Sequence, residues 1–343
     1  MFYKSFIKPF LFKKDAESAH ELAVKISSKT SNSVVLSNIS KKIYAFQDSR
    51  LKKEFWGLNF PNPVGLAAGF DKNGVTPKAM QALGFGFIEI GSITAQPALG
   101  NPKPRAFRLP EDRSLINRMG LNNEGAQKVI QRLSKLNLEI PLGVNIAKTN
   151  DASIHGDDAV KDYLFSYNLA NQVADYITVN ISCPNTGEGK TFEDPDALEA
   201  LLSGLEISRN SRKPTLVKFS VDTDKGIIEK LVEICEFHSV AGYVATNTSS
   251  SRKNLKTSVS KLEEIGNGGL SGKAISKKST QVVGWLKGML NETKPIIGVG
   301  GIDSPESALE KINAGADLIQ IYTGMVYEGP GLVKRINKGL LNN

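Results

Sequence analysis

Cysteine and histidine are scarce: two and three in 343 residues. Cys183 and Cys235 are too few for a disulfide framework, so a reducing, cytosolic compartment is the default. No C-x-x-C pair and no His/Cys cluster occurs, so iron–sulfur and zinc sites are not expected and no metal is assigned. Long apolar runs are missing too. Lysines interrupt the N-terminal hydrophobic residues, which leaves no signal-peptide core and no membrane span there. No G-x-G-x-x-G turn follows the first β-rich run, which argues against a doubly wound open sheet. Acidic residues are few at the N-terminus. Met1 to Phe60 holds eleven Lys and Arg against five Asp and Glu, a net +6 of the chain's total +8. A nucleic-acid-binding face would spread basic residues over the body. This distribution instead suggests an arm or a membrane-facing patch, and no nucleic-acid partner.

What is present is ordinary globular material, 40% hydrophobic and 23% charged, with 31 glycines. Tyr3, Phe6, Ile7, Phe10 and Leu11 form the stripe of an amphipathic helix, which Pro9 should shorten or break. A second helix can start from Asp15 as N-cap, with Ala19, Leu22, Ala23 and Ile26 on its apolar face. Phe2, Tyr3, Phe6, Phe10 and Phe12 lie among lysines, the composition of an interfacial segment. Packing of these helices on the main domain is the simpler alternative.

After residue 60 a rhythm begins. Eight β-rich runs start at Pro63, Phe87, Leu142, Tyr176, Thr215, Gly242, Pro295 and Leu318, with room for a helix between them. Several are nearly continuous apolar stretches, as in parallel strands covered by helices. The pattern predicts an α/β fold, a (β/α)8 TIM barrel with an N-terminal two-helix extension: residues 1–45 as extension, 46–343 as barrel. Active sites of such barrels sit at the C-terminal strand ends. Here these are Gly69 to Lys72, Ser92, Asn145, Asn180 to Cys183, Lys218, Thr246 to Thr248, Gly300 with Gly301, and Tyr322 with Thr323. Nearly all are polar or glycine, a ring of hydrogen-bonding groups for a polar ligand. "GVGG" and "YTG" close the last two strands, where such barrels often bind phosphate, and "GGLSG" (Gly268 to Gly272) could add donors. Lys72 and Lys218 are solvated charges or, if buried, partners for a carboxylate and for an electron-rich reduced flavin ring. Asn117, Asn145, Asn180, Asn185 and Asn247 suit an amide-bearing heterocycle. Cys183, in "NISCPNTGEG", stands outside any apolar run, whereas Cys235, in "LVEICEF", reads as a core residue on a helix.

"AAGFDKNG", "GNPKPRAFRLPEDRSLINRMGLNN", "GVNIAK", "NISCPNTGEG", "VKFSVD", "TNTSSSR", "GGLSG", "GVGGI" and "IYTG" occur in order from about residue 60 to the end. Together they resemble the dihydroorotate dehydrogenase family. "LFKKDAESAHELA" resembles the two-helix extension of its membrane-associated, quinone-using class. The resemblance implies FMN in a barrel that oxidises (S)-dihydroorotate to orotate in pyrimidine synthesis. It implies an FMN site at Ala68, Gly69, Phe70, Asp71, Lys72, Ser92 and Asn145, continuing through Asn180, Lys218, Thr246, Gly272, Gly301, Tyr322 and Thr323. The substrate would meet Lys72, Asn117, Arg118, Met119, Gly120, Leu121, Asn180, Asn185, Asn247 and Thr248. The catalytic base falls at Cys183, whose thiolate would take the C5 proton while the C6 hydride goes to the flavin. His20 and Arg108 match positions that line the quinone entrance.

Cys183 departs from the quinone-using class, which usually carries serine there; cysteine is usual in the soluble class that uses fumarate or NAD. The extension and two long motifs favour a membrane quinone, and the soluble class is the alternative. The expectation is a peripheral enzyme on the cytoplasmic face of the cell membrane, held to an anionic surface. A tRNA dihydrouridine synthase would need a basic body and an RNA-binding helical domain. A non-catalytic, membrane-associated barrel would not need an intact polar ring.

Overall fold

All eight β-rich runs become barrel strands: β1 Val64–Leu66, β2 Phe87–Ile93, β3 Leu142–Ile146, β4 Tyr176–Asn180, β5 Thr215–Phe219, β6 Gly242–Ala245, β7 Ile296–Val299 and β8 Leu318–Ile321. Each pairs in parallel with its sequence neighbour, and β8 closes onto β1. The computed structural model describes residues 2–182, 192–207, 213–290 and 294–342. The strands are buried along nearly their whole length because helices cover their outer face and side chains fill the interior. Register places Asn145 beside Thr178 and, two residues further toward the rim, Asn180 beside Lys218.

The bottom of the barrel is sealed. A hairpin, Lys53–Phe55 with Leu58–Phe60, folds beneath it. There Phe60 packs with Phe87, Tyr176, Leu216, Val244, Ile297 and Leu318. Trp56 donates its indole N–H to the Ala241 carbonyl at 3.0 Å. With the floor closed, the open end is the C-terminal rim. A three-stranded antiparallel sheet rises there: Ala106–Leu109, Ser114–Asn117 and Gly269–Gly272. "GGLSG" is therefore mostly a strand, paired so that Gly269 faces Asn117 and Gly272 faces Ser114. Its glycines answer to crowding: a Cβ on Gly272 would meet the Arg113 carbonyl and Thr323 Cγ2, each at 2.7 Å.

The N-terminal residues lie over the rim. α1 (Lys8–Phe12), α2 (Ala16–Ser31) and α3 (Val34–Tyr44) follow a π-wound turn, Tyr3–Ile7. The expected interruption at Pro9 takes the form of a change in winding: the π-wound residues give way to α1 at Lys8, directly before Pro9. Asp15 caps α2, accepting from the Ser18 amide at 2.9 Å, an interaction worth about 1 kcal/mol. Arg105 and Glu17, both buried, join α2 to the rim through paired guanidinium–carboxylate hydrogen bonds of 2.8–3.2 Å. Arg108 donates to the carbonyls of Leu11, Phe12, Lys14 and Asp15, which satisfies the C-terminal end of α1. No helix among the described residues is long and apolar enough to cross a membrane.

Candidate active site

A cavity of about 530 Å³ runs from beneath α1 and α2 down to the strand ends. Ile7, Leu11, Ala19, Leu22, Ala23 and Ile26 line its upper part, and Lys72, Ser92, Asn117, Asn180, Lys218 and Asn247 its lower part. A smaller cavity, about 80 Å³, adjoins it and is lined by Thr246, Gly272, Gly300, Gly301, Thr323 and Gly324. Ala68, Lys218, Asn247, Thr248, Ser271 and Tyr322 border both.

Most of the residues singled out in the sequence converge here. Ala68, Gly69, Phe70, Met119, Gly120, Leu121, His20 and Arg108 also line the larger cavity. Three do not face either one. Asn145 is fully buried behind Ser92, from which it accepts a hydrogen bond. Asp71 turns its carboxylate into its own loop, accepting from the amides of Asn73, Val75 and Thr76. Arg118 reaches away to the carbonyls of Ile265, Asn267 and Pro104 and stacks over Phe107. The side chains of Asp71 and Arg118, expected at the flavin and the substrate, are thus engaged in loop and rim hydrogen bonds. Cys183 and Asn185 lie outside the described residues. Cys235 is buried in the helix Lys225–Phe237, and burial pushes its thiol up, away from reactivity.

The site's electrostatics follow from burial. Lys72 donates to the Gly69 carbonyl at 3.0 Å. Burial brings its pKa down to about 8, helped by the nearby Arg105 charge and opposed by Glu17 and Asp71. His20 packs edge-on to Phe70, with ring centroids 5.2 Å apart, and its Nδ1 lies 3.4 Å from the Tyr322 hydroxyl. Burial first, then the Lys72 charge, lower its pKa to about 3, so at neutral pH it is an uncharged ring between the two parts of the cavity. Lys218 is 5% exposed, and its side chain makes no hydrogen bond or ion pair with another described residue. Burial lowers its pKa and Glu89 opposes that.

Two observations test whether the lower site suits a flavin mononucleotide. The Thr246 hydroxyl, beside the smaller cavity, is buried without a hydrogen-bond partner among the described residues. Buried polar groups usually have a partner in protein, water or ligand, and a group on the cavity wall is open to a ligand. The Lys218 ammonium likewise makes no hydrogen bond or ion pair with another described residue, although it borders both cavities. Gly300 and Gly301 have φ of +119° and +77°, a backbone that L side chains rarely adopt. Gly301 packs against Ser276, the first residue of the helix Ser276–Met289, so the cradle combines free backbone with a helix N-terminus. The residues fit a phosphate at one end and an electron-rich ring at the other.

Sequence reasoning missed Glu89, Gln320 and Ser271. Ser271 bridges to Thr323 Oγ1 at 2.9 Å and lines both cavities. Glu89 gave a signal, a lone acid inside the apolar run "FIEIGSIT".

Comparison with known proteins gives the same answer from another direction. Residues 50–343 match the family model described as dihydroorotate dehydrogenase. A dihydroorotate dehydrogenase (quinone) from Natronomonas pharaonis is 45% identical over 335 residues, covering 98% of this chain and 93% of that protein. One from Chloroflexus aurantiacus is 43% identical, covering 100% and 97%. The crystal structure of DHODH from Eimeria tenella in complex with ferulenol superposes with a TM-score of 0.82 at 31% identity, covering 96% of this chain and 91% of that one. With a sealed parallel barrel, a polar rim and a match running nearly end to end, the chain belongs to the dihydroorotate dehydrogenase family.

Proposed function

We propose that the chain oxidises (S)-dihydroorotate to orotate in pyrimidine biosynthesis, with FMN as its flavin and a membrane quinone as acceptor. The family is flavin-dependent, and relatives that match almost the whole chain are named for quinone. The observation that carries the reading is one cavity with two chemistries, apolar beneath α1 and α2, polar and cationic at the strand ends. A quinone ring suits the first and an anionic, amide-rich substrate the second.

When bound, the flavin accepts a hydride from the substrate and yields the electrons to the quinone. The phosphate would rest on the backbone of Gly272, Gly300, Gly301 and Thr323. Lys218 would supply positive charge beside the ring, with Ala68, Ser92, Asn180 and Thr246 around it. Lys72 would hold the substrate carboxylate, with Asn117, Asn180, Asn247 and Thr248 for the ring amides. The base assigned to Cys183 would remove the C5 proton as a thiolate, with Asn185 nearby in sequence. A free thiol titrates near ~8.5, so only part of it is ionised at neutral pH. His20 and Arg108 border the route between the quinone end and the flavin end.

Residues 1–45 would serve as membrane and quinone module, and 46–343 as the FMN barrel. Phe2, Phe6 and Phe10 are 68%, 69% and 58% exposed, and Val34 and Val35 of α3 are 77% and 67% exposed. Exposed apolar residues among lysines support peripheral attachment to an anionic surface on the cytoplasmic face. The test is anaerobic: dihydroorotate should bleach the yellow protein, and a quinone analogue should restore the colour faster than fumarate or NAD. Colourless protein removes the flavin reading; preferential reoxidation by fumarate or NAD removes the quinone.

A further inference from the structure

Glu89 is fully buried inside the barrel, and four residues converge on its carboxylate. Oε1 accepts from Asn145 Nδ2 at 2.8 Å. Oε2 accepts from Gln320 Nε2 at 2.8 Å, Thr178 Oγ1 at 3.1 Å and Tyr176 Oη at 3.4 Å. The two amide nitrogens can only donate, so they face an acceptor, as an ionised carboxylate provides. No Lys or Arg forms an ion pair with it among the described residues. Buried charge is ordinarily paired, and the charge whose field reaches Lys218 is this one.

The carboxylate also dictates polarity outward toward the cavity. Because Asn145 must donate Nδ2 to Glu89, its Oδ1 is left to accept from the Ser92 hydroxyl. Ser92 Oγ then accepts from Asn180 Nδ2 at 3.2 Å. That leaves Asn180 Oδ1 to accept from Asn247 Nδ2 at 3.2 Å and from Ser182 Oγ at 3.3 Å. Asn247 Oδ1 in turn accepts from the Thr248 amide at 2.9 Å. An asparagine or serine can present either a donor or an acceptor to a ligand. Here the choice at Ser92, Asn180 and Asn247, all on the cavity wall, propagates from one acid that does not touch the cavity.

We propose that Glu89 is a positioning residue for the flavin site, fixing the donor and acceptor orientation of the Asn145–Ser92–Asn180–Asn247 chain and supplying the buried negative charge that balances Lys218. The inference rests on the flavin reading of the cavity. Its competitor is a purely structural Glu89 that ties β2 to β3, β4 and β8.

Glu89→Gln separates the two. The replacement has the same shape, and Gln320 can turn its amide to present Oε1, which is buried without a partner among the described residues. The variant is purified with its flavin and equilibrated anaerobically with a reference dye, beside the unmodified protein. Flavin content, melting temperature and the reduced-to-oxidised ratio are read. Loss of the buried negative charge whose field reaches Lys218 favours the electron-rich reduced ring, so the ratio is expected to rise by about tenfold at the same dye potential. A folded, flavin-loaded variant with an unchanged ratio overturns the proposal and leaves the flavin reading intact. Absence of flavin from the unmodified protein overturns both. If Glu89→Gln does not fold, Lys218→Met/Glu89→Gln decides. Charge pairing requires the neutral double variant to fold where the single one fails; equal failure of both overturns the proposal.

Discussion

Lys72 is the residue at which the electrostatics make the sharpest statement about substrate. Its ammonium is the form that attracts a carboxylate, and that form prevails below a pKa of about 8. Orotate affinity measured by calorimetry is therefore expected to be flat from pH 6 to 7.5. It should then weaken by about tenfold per pH unit well above 8, because the free lysine must first take up a proton. Affinity that stays flat to pH 10 would remove Lys72 from carboxylate binding. Cys183 is tested by kinetics. Cys183→Ala should keep its flavin yet lose about 10²–10⁴-fold in turnover, the usual worth of a positioned base. Cys183→Ser should retain part of the rate with its profile moved to higher pH. Near-normal turnover in Cys183→Ala would sink that assignment. The residues most legible in the sequence were those at strand ends, where a polar residue breaks an apolar run. Asp71 and Arg118 sit in the same motifs but spend their side chains on loop and rim architecture. Motif membership alone does not say which way a side chain turns.

A buried ion pair is one of the contacts that dock α2 onto the rim. Arg105 and Glu17 side chains are 8% and 6% exposed, and they lie 88 residues apart in sequence. Despite burial, the Arg105 and Lys103 charges hold the Glu17 carboxyl below its usual range. Glu17→Ala strands the guanidinium and is expected to destabilise the protein by about 3–5 kcal/mol. Glu17→Ala/Arg105→Met, which removes both charges, should recover most of that. Equal melting of Glu17→Ala and the parent would contradict the pairing. No periodicity in the sequence announces such a contact, because it joins two elements across the chain. The strand Gly269–Gly272 was hidden for another reason: its glycines read as an anion-binding turn, yet Gly269 sits against Thr248 and Gly272 against Arg113 and Thr323 in a sheet. The barrel strands were readable because burial on both faces writes short, nearly continuous apolar runs.

At the scale of the molecule, most of the net charge belongs to the segment that carries exposed phenylalanines. Anionic lipid attracts each surface lysine or arginine by roughly 1 kcal/mol. The chain is therefore expected to co-sediment with anionic vesicles and to leave them as salt rises. A chain starting near residue 46 should lose that binding. Undiminished binding of the shortened chain would assign the extension to packing alone. The central claim is that one cavity serves two substrates from opposite ends. Ala23 of α2 lines its upper part, far in sequence from the strand-end residues. Ala23→Trp fills that part. The most direct measurement is stopped-flow absorbance of the flavin in Ala23→Trp and in the unmodified protein, taken for each half-reaction separately. Reduction by dihydroorotate should be unchanged within about twofold, while reoxidation by a quinone analogue should slow by about 10²-fold or more, as expected when the geometry of encounter is lost. Equal reoxidation rates, or equal loss of both half-reactions, would contradict the two-ended cavity.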